Sequence, residues 1–181
     1  MTAYPARSYS FAHIDAMRAI AQLHQIEAVP ITKARVLEIG CASGGHLIPM
    51  AARNPMTTFV GLDLDPMEIK TAKEWAARHQ LENIEFHCCA AEGWSGEAFD
   101  YIICHGVLSW IAPSVRISLL KNVERLLSAR GIAMLSHATP AGSAAKLAVR
   151  ELFLAVAGKE ESPQERIAKG KQALHELVLS F

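Results

Sequence analysis

Arg35-Val36-Leu37-Glu38-Ile39-Gly40-Cys41-Ala42-Ser43-Gly44-Gly45-His46-Leu47 decides how this 181-residue chain reads. An apolar strand runs into an acidic residue, then a turn of very small residues, then the start of a helix. Small residues let backbone pass close to a ligand, and glycine accepts the left-handed angles of tight turns. The Glu38 carboxylate adds negative charge at the strand end, which suits a nucleotide-like ligand bearing a cation better than a bare polyphosphate. Taken alone, the loop is ambiguous. Gly40, Ala42 and Gly45 also fit, with one substitution, the G-x-G-x-x-G/A turn of dinucleotide sites, and Asp63 then stands where ribose hydroxyls are held. A tight strand-to-helix turn with no ligand is the third reading.

Outward from this loop, short apolar stretches alternate with helical ones. Strands are expected over Arg35 to Ile39, Thr58 to Leu62, Ile84 to Cys88, Tyr101 to Cys104 and Ile132 to Ser136. Helical spacing covers His13 to Ala28, Gly45 to Arg53, Pro66 to His79, Ser114 to Leu127 and Ala141 to Ala157. Near-continuously apolar strands bridged by helices indicate a parallel sheet covered on both faces. Right-handed crossovers make it a Rossmann-like, doubly wound α/β fold with strand order 3-2-1-4-5. No antiparallel hairpin follows the fifth strand.

Three regions are expected: an N-terminal arm and helix over 1–30, a sheet domain over 31–158, and a linker and helix over 159–181. Tyr4 to Phe11 carries three aromatics among small polar residues and reads as a loop or frayed arm. Lys159-Glu160-Glu161-Ser162-Pro163 reads as a linker, and Ile167, Leu174, Val178 and Phe181 as one stripe of a terminal helix.

Composition narrows the function classes. Lysine plus arginine balances aspartate plus glutamate at 18 each, so no global field draws nucleic acid or an anionic membrane. No apolar run is long enough to cross a bilayer, and the N-terminus lacks the apolar core of a signal peptide. The four cysteines, Cys41, Cys88, Cys89 and Cys104, contain no C-x-x-C pair and read as small buried hydrophobes in a reducing, cytoplasmic setting. The adjacent Cys88-Cys89 is a poor zinc framework, and no metal is expected.

Ligands of open parallel sheets bind at the carboxyl ends of the strands where the winding reverses. The fourth strand leads into Cys104-His105-Gly106-Val107-Leu108-Ser109-Trp110, which then faces the Gly40 to Gly45 loop across that crevice. His105 is the best-placed candidate for a base; a histidine bonded to backbone at a strand end is the plainer reading. Cys104 sits beside it and reads as packing as well as site.

This succession resembles the class I S-adenosylmethionine-dependent methyltransferases. Glu38-Ile39-Gly40-Cys41-Ala42-Ser43-Gly44 is similar to their first motif, Phe59-Val60-Gly61-Leu62-Asp63 to their second-strand motif, and Phe99-Asp100-Tyr101-Ile102 to their fourth-strand motif. Ala42 departs from the usual glycine. A narrower likeness joins Tyr4-Pro5, Ser8-Tyr9, Leu37 to Gly45, Leu47-Ile48-Pro49 and Cys104 to Val107. These blocks resemble bacterial methyltransferases that carry a C-terminal regulatory domain, some of which methylate lysines of outer-membrane proteins. The likeness covers roughly residues 4 to 140 and fades at Ser136-His137-Ala138-Thr139-Pro140-Ala141-Gly142-Ser143, where relatives show Tyr-Asn-Thr and Pro-Gly-Trp.

The resemblance implies S-adenosyl-L-methionine as cofactor and S-adenosyl-L-homocysteine as product. It places Glu38 toward the methionyl ammonium, counts Gly40, Ala42, Ser43 and Gly44 among the cofactor-binding residues, and sets the amides of Ala42 to Gly45 at the carboxylate. Asp63 takes the ribose hydroxyls, Leu64 the adenine face, and the Ala91-Glu92 turn the adenine edge. Tyr9 and His46 close over the cofactor as part of a lid, and Cys104 and His105 line the far wall. The acceptor implied is a protein lysine. Two other readings stand beside it. One is an NAD-dependent oxidoreductase, although neither a Tyr-x-x-x-Lys pair nor a second mononucleotide half is present. The other is a non-catalytic cofactor-binding fragment of a larger methyltransferase, or a chain that completes itself by dimerising through the Gln164 to Phe181 helix.

Overall fold

The computed structural model describes residues 6–156 and 162–179. Tyr4-Pro5, Ala157, Lys159 to Glu161 and Phe181, which the sequence reading singled out, lie outside the described residues. The chain forms two compact units, Met1–His137 and Ala138–Phe181.

Five strands build the sheet of the first unit: β1 (Arg35–Ile39), β2 (Thr58–Asp63), β3 (Ile84–Cys88), β4 (Phe99–Cys104) and β5 (Leu127–Leu135). All neighbours are parallel, in the order β3-β2-β1-β4-β5. Alternate side chains feed two apolar layers. Val36, Phe59, Tyr101 and Ile103 pack with Ile14 and Met17 of α1 (Ile14–Leu23), Leu47 and Met50 of α2 (Leu47–Arg53), and Ile69 of α3 (Pro66–Arg78). Leu37, Val60, Leu62 and Ile102 point the other way, onto Leu119, Val123 and Leu126 of α4 (Pro113–Leu126). Each fully buried side chain of this size contributes about 1.5–3 kcal/mol.

Several boundaries differ from the sequence expectation, each for a local reason. α1 stops at Leu23 because Gln25 turns left-handed, with φ 58°, well before Pro30. β4 begins at Phe99, two residues early, because the polar Asp100 sits inside the strand. Its Oδ2 accepts the Arg35 amide at 2.9 Å and its Oδ1 accepts the Ser128 hydroxyl at 2.8 Å. β5 starts directly after α4 and includes Ser128 to Gly131, a polar stretch that no apolar run marks, and an irregularity interrupts its pairing between Phe99 and Tyr101. Cys88 is exposed rather than buried, while Cys41 and Cys104 are core residues.

The second unit pairs α5 (Pro140–Val156) with α6 (Pro163–Leu179). α5 therefore clusters with the terminal helix, whereas the sequence reading grouped it with the sheet. Ser162 caps α6: its hydroxyl and amide both bond the Glu165 carboxylate, at 2.7 and 2.8 Å, while Glu165 N–H donates back at 3.3 Å. Among the described residues no helix is long and apolar enough to cross a membrane.

Two polar anchors hold the loops around the sheet. Asn83, just before β3, donates its amide to the carbonyls of Ala51, Asn54 and Thr57 at 3.1, 3.0 and 2.9 Å. His46, the buried cap of α2, ties down the N-terminal arm. Its Nδ1 accepts the Tyr9 amide at 3.1 Å, so its Nε2 carries the proton and donates to the Ala12 carbonyl at 3.3 Å. Ala6 backbone lies so close to Gly45 that a Cβ there would stand 2.6 Å from it. The arm is docked against the loop after β1 rather than frayed.

Replacing Asn83 by Ala removes a donor shared by three carbonyls, of which Ala51 and Asn54 keep backbone donors, and chemical denaturation should show a loss of about 1–3 kcal/mol. Burial is the main force pulling His46 down to about 4 from an ordinary 6.5, against the Ala12 bond and helped by the neighbouring His13 and His105. The folded state therefore resists a proton that the unfolded chain accepts, so stability falls as pH drops from 6.5 to about 4 and levels off below. The whole window is worth about 3 kcal/mol. Amide exchange at Tyr9, whose acceptor is the lone pair that titrates, should accelerate over that range. In the His46→Leu variant the acceptor is gone, and exchange there should be fast at every pH in the window.

Candidate functional site

The winding reverses between β1 and β4, and a cavity of about 320 Å³ opens there at their carboxyl ends. The loop after β1 forms its floor by alternating left-handed residues: Gly40 at φ 77°, Ala42 at 45° and Gly44 at 76°. Gly40 and Cys41 both donate to the Leu62 carbonyl, at 2.8 and 3.1 Å, which folds the turn back over β2. A Cβ on Gly40 would collide with the Val107 side chain, so the close approach requires glycine. Ala42 holds the same backbone region at a cost of about 1–2 kcal/mol. Its amide donates to Asp63 Oδ2 at 2.8 Å, a charge-assisted bond that offsets the strain.

Two carboxylates line this cavity. Asp63, at the end of β2, is fixed from both sides, because Oδ1 also accepts the Asp65 amide at 3.0 Å. Glu38 is 5% exposed, and its Oε2 has no hydrogen-bond partner. Burial, and after it the charge of Asp63, pushes the Glu38 carboxyl well above the ordinary carboxylate range. The Cys41 thiol between them is driven up by burial first and by the same two acids second.

The opposite wall comes from the β4 end and the arm. His105 packs against Tyr9, ring centroids 4.5 Å apart, and edge-on against Phe11 at 5.2 Å. Its Nδ1 is buried without a partner, and burial lowers its affinity for a proton. Gly106 N–H donates to Ser136 Oγ at 2.8 Å, locking the strand end that carries His105.

Of the residues expected from sequence, Tyr9, Glu38, Gly40, Ala42, Ser43, His46, Asp63 and His105 all meet at this cavity. Five do not line it. Gly44 faces the core, where a Cβ would meet Phe86 and Ile48. Cys104 is fully buried in the second apolar layer, its thiol raised to about 12 by burial and then by Glu38. Leu64 stands exposed beyond the rim. Ala91 is buried in a short 3-10 turn whose carbonyl accepts the Asn122 side-chain amide, and Glu92 follows it outside the lining. Cys41, Gly45, Gly106 and Val107, parts of the loop and strand end expected to face each other, complete the lining, and Ala6 and Arg7 join it unpredicted. Nothing in the sequence pointed Arg7 inward.

The lining chemistry separates the ligand classes left open by the loop. A pyrophosphate placed on this turn would face the Asp63 carboxylate and could give the buried, unpartnered Glu38 carboxyl no positive charge. A cationic group would supply what Glu38 lacks. The space beside Gly45, where a dinucleotide turn uses its third small residue, is taken by Ala6.

Known proteins agree with this geometry. A protein of Rickettsia prowazekii described as uncharacterized is 36% identical over 174 residues, spanning 94% of this chain and 32% of its own length. A second uncharacterized protein of that organism is 27% identical over 173 residues, covering 94% of this chain and 69% of the other. The solved structure of PKMT2 from Rickettsia typhi in complex with AdoHcy superimposes with a TM-score of 0.91 at 27% identity. That match covers 98% of this chain and 35% of PKMT2, so the chain spans about a third of the length of these two larger proteins. Residues 32–178, from the turn before β1 into α6, match the model of the family described as Methyltransferase domain. With the acidic strand end, the left-handed loop and the parallel order in place, the chain belongs to that methyltransferase family.

Proposed function

We propose that this chain binds S-adenosylmethionine in the β1–β4 cavity and transfers its methyl group to an acceptor. The observation that carries the reading is Glu38: a buried carboxyl with an unpartnered Oε2, lining a cavity it shares with the fixed carboxylate of Asp63. The residues present fit the cofactor. Glu38 meets the ammonium, the amides from Ala42 to Gly45 meet the carboxylate, and Asp63 meets the ribose hydroxyls with its remaining lone pairs. When bound, the cofactor supplies a methyl group on a sulfonium leaving group. The protein's own contribution is alignment, worth about 7–11 kcal/mol where donor and acceptor are well held.

The acceptor proposed is a protein lysine, supported by the resemblance of the Tyr4 to Val107 blocks to lysine methyltransferases. A lysine must lose a proton before it attacks, and His105 is the group proposed to take it or to pass it to water. Three features support that role: its place on the cavity wall, its unpartnered Nδ1, and an imidazole kept neutral by burial. Tyr9 and Phe11 orient the ring, and the arm that carries them acts as the lid. Four free cysteines are consistent with a reducing cytoplasmic setting.

A second reading is favoured by one observation, that the chain spans about a third of PKMT2. On that reading this unit holds the cofactor and transfer needs the remaining length. Labelled methyl transfer to a lysine-rich protein extract by this chain alone decides between them; incorporation sinks the second reading.

Calorimetry with S-adenosylhomocysteine tests the cofactor directly, with saturable binding expected and none with NAD. The Asp63→Asn variant keeps the size of the side chain but loses a charge-assisted acceptor. Its affinity should fall roughly 10- to 100-fold, as one such bond of about 1.5–3 kcal/mol implies. Unchanged affinity in Asp63→Asn would place the ribose elsewhere.

A further inference from the structure

Glu38 is hemmed in by groups that offer it no positive charge. In register it lies opposite Gly61 of β2 and Ile103 of β4, so neither neighbouring strand sets a charged side chain directly alongside. From the end of β2, Asp63 faces it with a second negative charge. The turn after β1 brings the Cys41 thiol, and the β4 end brings the Cys104 thiol with His105 beyond it. The α2 cap supplies His46, held neutral at about 4, and the arm supplies Tyr9 and Arg7. Arg7 is the one fixed cation on the cavity wall among the described residues; it is exposed, and no ion pair joins it to Glu38. An unpaired carboxylate in such a place is costly, and a carboxyl group avoids the cost by keeping its proton.

We infer that cofactor entry expels a proton from Glu38: the ligand-free site holds a neutral carboxylic acid, and the filled site holds a carboxylate paired with the ligand's ammonium. The O–H bond of Glu38 breaks, its proton passes to solvent, and an ion pair to the ligand replaces it. This deepens the proposed function and rests on it, since the ammonium is that of S-adenosylmethionine or its product. The sign follows from linkage. Glu38 is protonated in the free protein and ionised in the complex, so binding releases a proton and affinity rises with pH across that window. The slope approaches about tenfold per pH unit where the free site is fully protonated, and vanishes above its titration. The cavity then discriminates by charge: a ligand lacking the ammonium gains nothing from ionising Glu38.

Calorimetry with S-adenosylhomocysteine at about pH 6, in two buffers of very different ionisation enthalpy, reads the proton directly. A net release approaching one proton per ligand is expected for the wild type, and none for Glu38→Gln. An infrared difference spectrum should show a protonated-carboxyl band disappearing on ligand addition. Should Glu38→Gln bind too weakly to titrate, the ligand-free spectrum of wild type minus variant must contain that band. Binding with equal heats in both buffers and no such band overturns the inference while leaving the cofactor assignment standing. Proton release that persists in Glu38→Gln overturns it too, by locating the proton elsewhere. Absence of any binding heat overturns the proposed function and this inference with it.

Discussion

The chain has to reverse within a few residues at the end of β1, and left-handed backbone at Gly40, Ala42 and Gly44 is what permits it. Everything functional in this fold depends on that reversal. It brings two amides onto the Leu62 carbonyl, so the loop rides over β2 and leaves the β1–β4 crevice clear. It also presents the Ala42 amide to Asp63, which fixes a carboxylate at the end of a different strand. Glu38, buried near the end of β1, stands just before that reversal and lines the crevice it leaves clear.

The second constraint is the neutrality of His46. A buried imidazole with one donor and one acceptor, each already engaged by the arm, links the loop after β1 to the segment carrying Tyr9 and Phe11. Those rings in turn position His105 on the opposite wall. The two walls of the cavity are thus linked through this ring as well as through the β1–β4 pairing. This arrangement gives the arm a structural reason to sit where a lid would sit.

Much of this was legible in the sequence because the informative signals are local. Apolar runs located β1, β2 and β3 to within a residue, and the acid-then-small-residues pattern found Glu38, the loop and Asp63. Signals failed where tertiary contacts override local pattern. Asp100 is polar yet lies inside β4, because its carboxylate accepts from Arg35 and Ser128 across the sheet. Ser128 to Gly131 lie within β5 although the pairing passes from Leu127 directly to Ile132, and their polarity carries no strand signal. His46 and Tyr9 could be named but not placed, since the contact that joins them spans 37 positions of sequence. Arg7 and Ala6 reach the cavity through docking of the N-terminal arm, which leaves no periodic trace. Cys104 and Gly44 erred the other way: sequence adjacency to the site does not say which face a side chain takes.

Glu38 and Asp63 together define the proposed cofactor site in the β1–β4 crevice. A co-crystal structure of this chain with S-adenosylhomocysteine tests it most directly. The ligand's ammonium is expected within hydrogen-bond reach of Glu38 and its ribose hydroxyls on Asp63. A well-ordered ligand elsewhere, or one seated here with its ammonium turned away from Glu38, would contradict it.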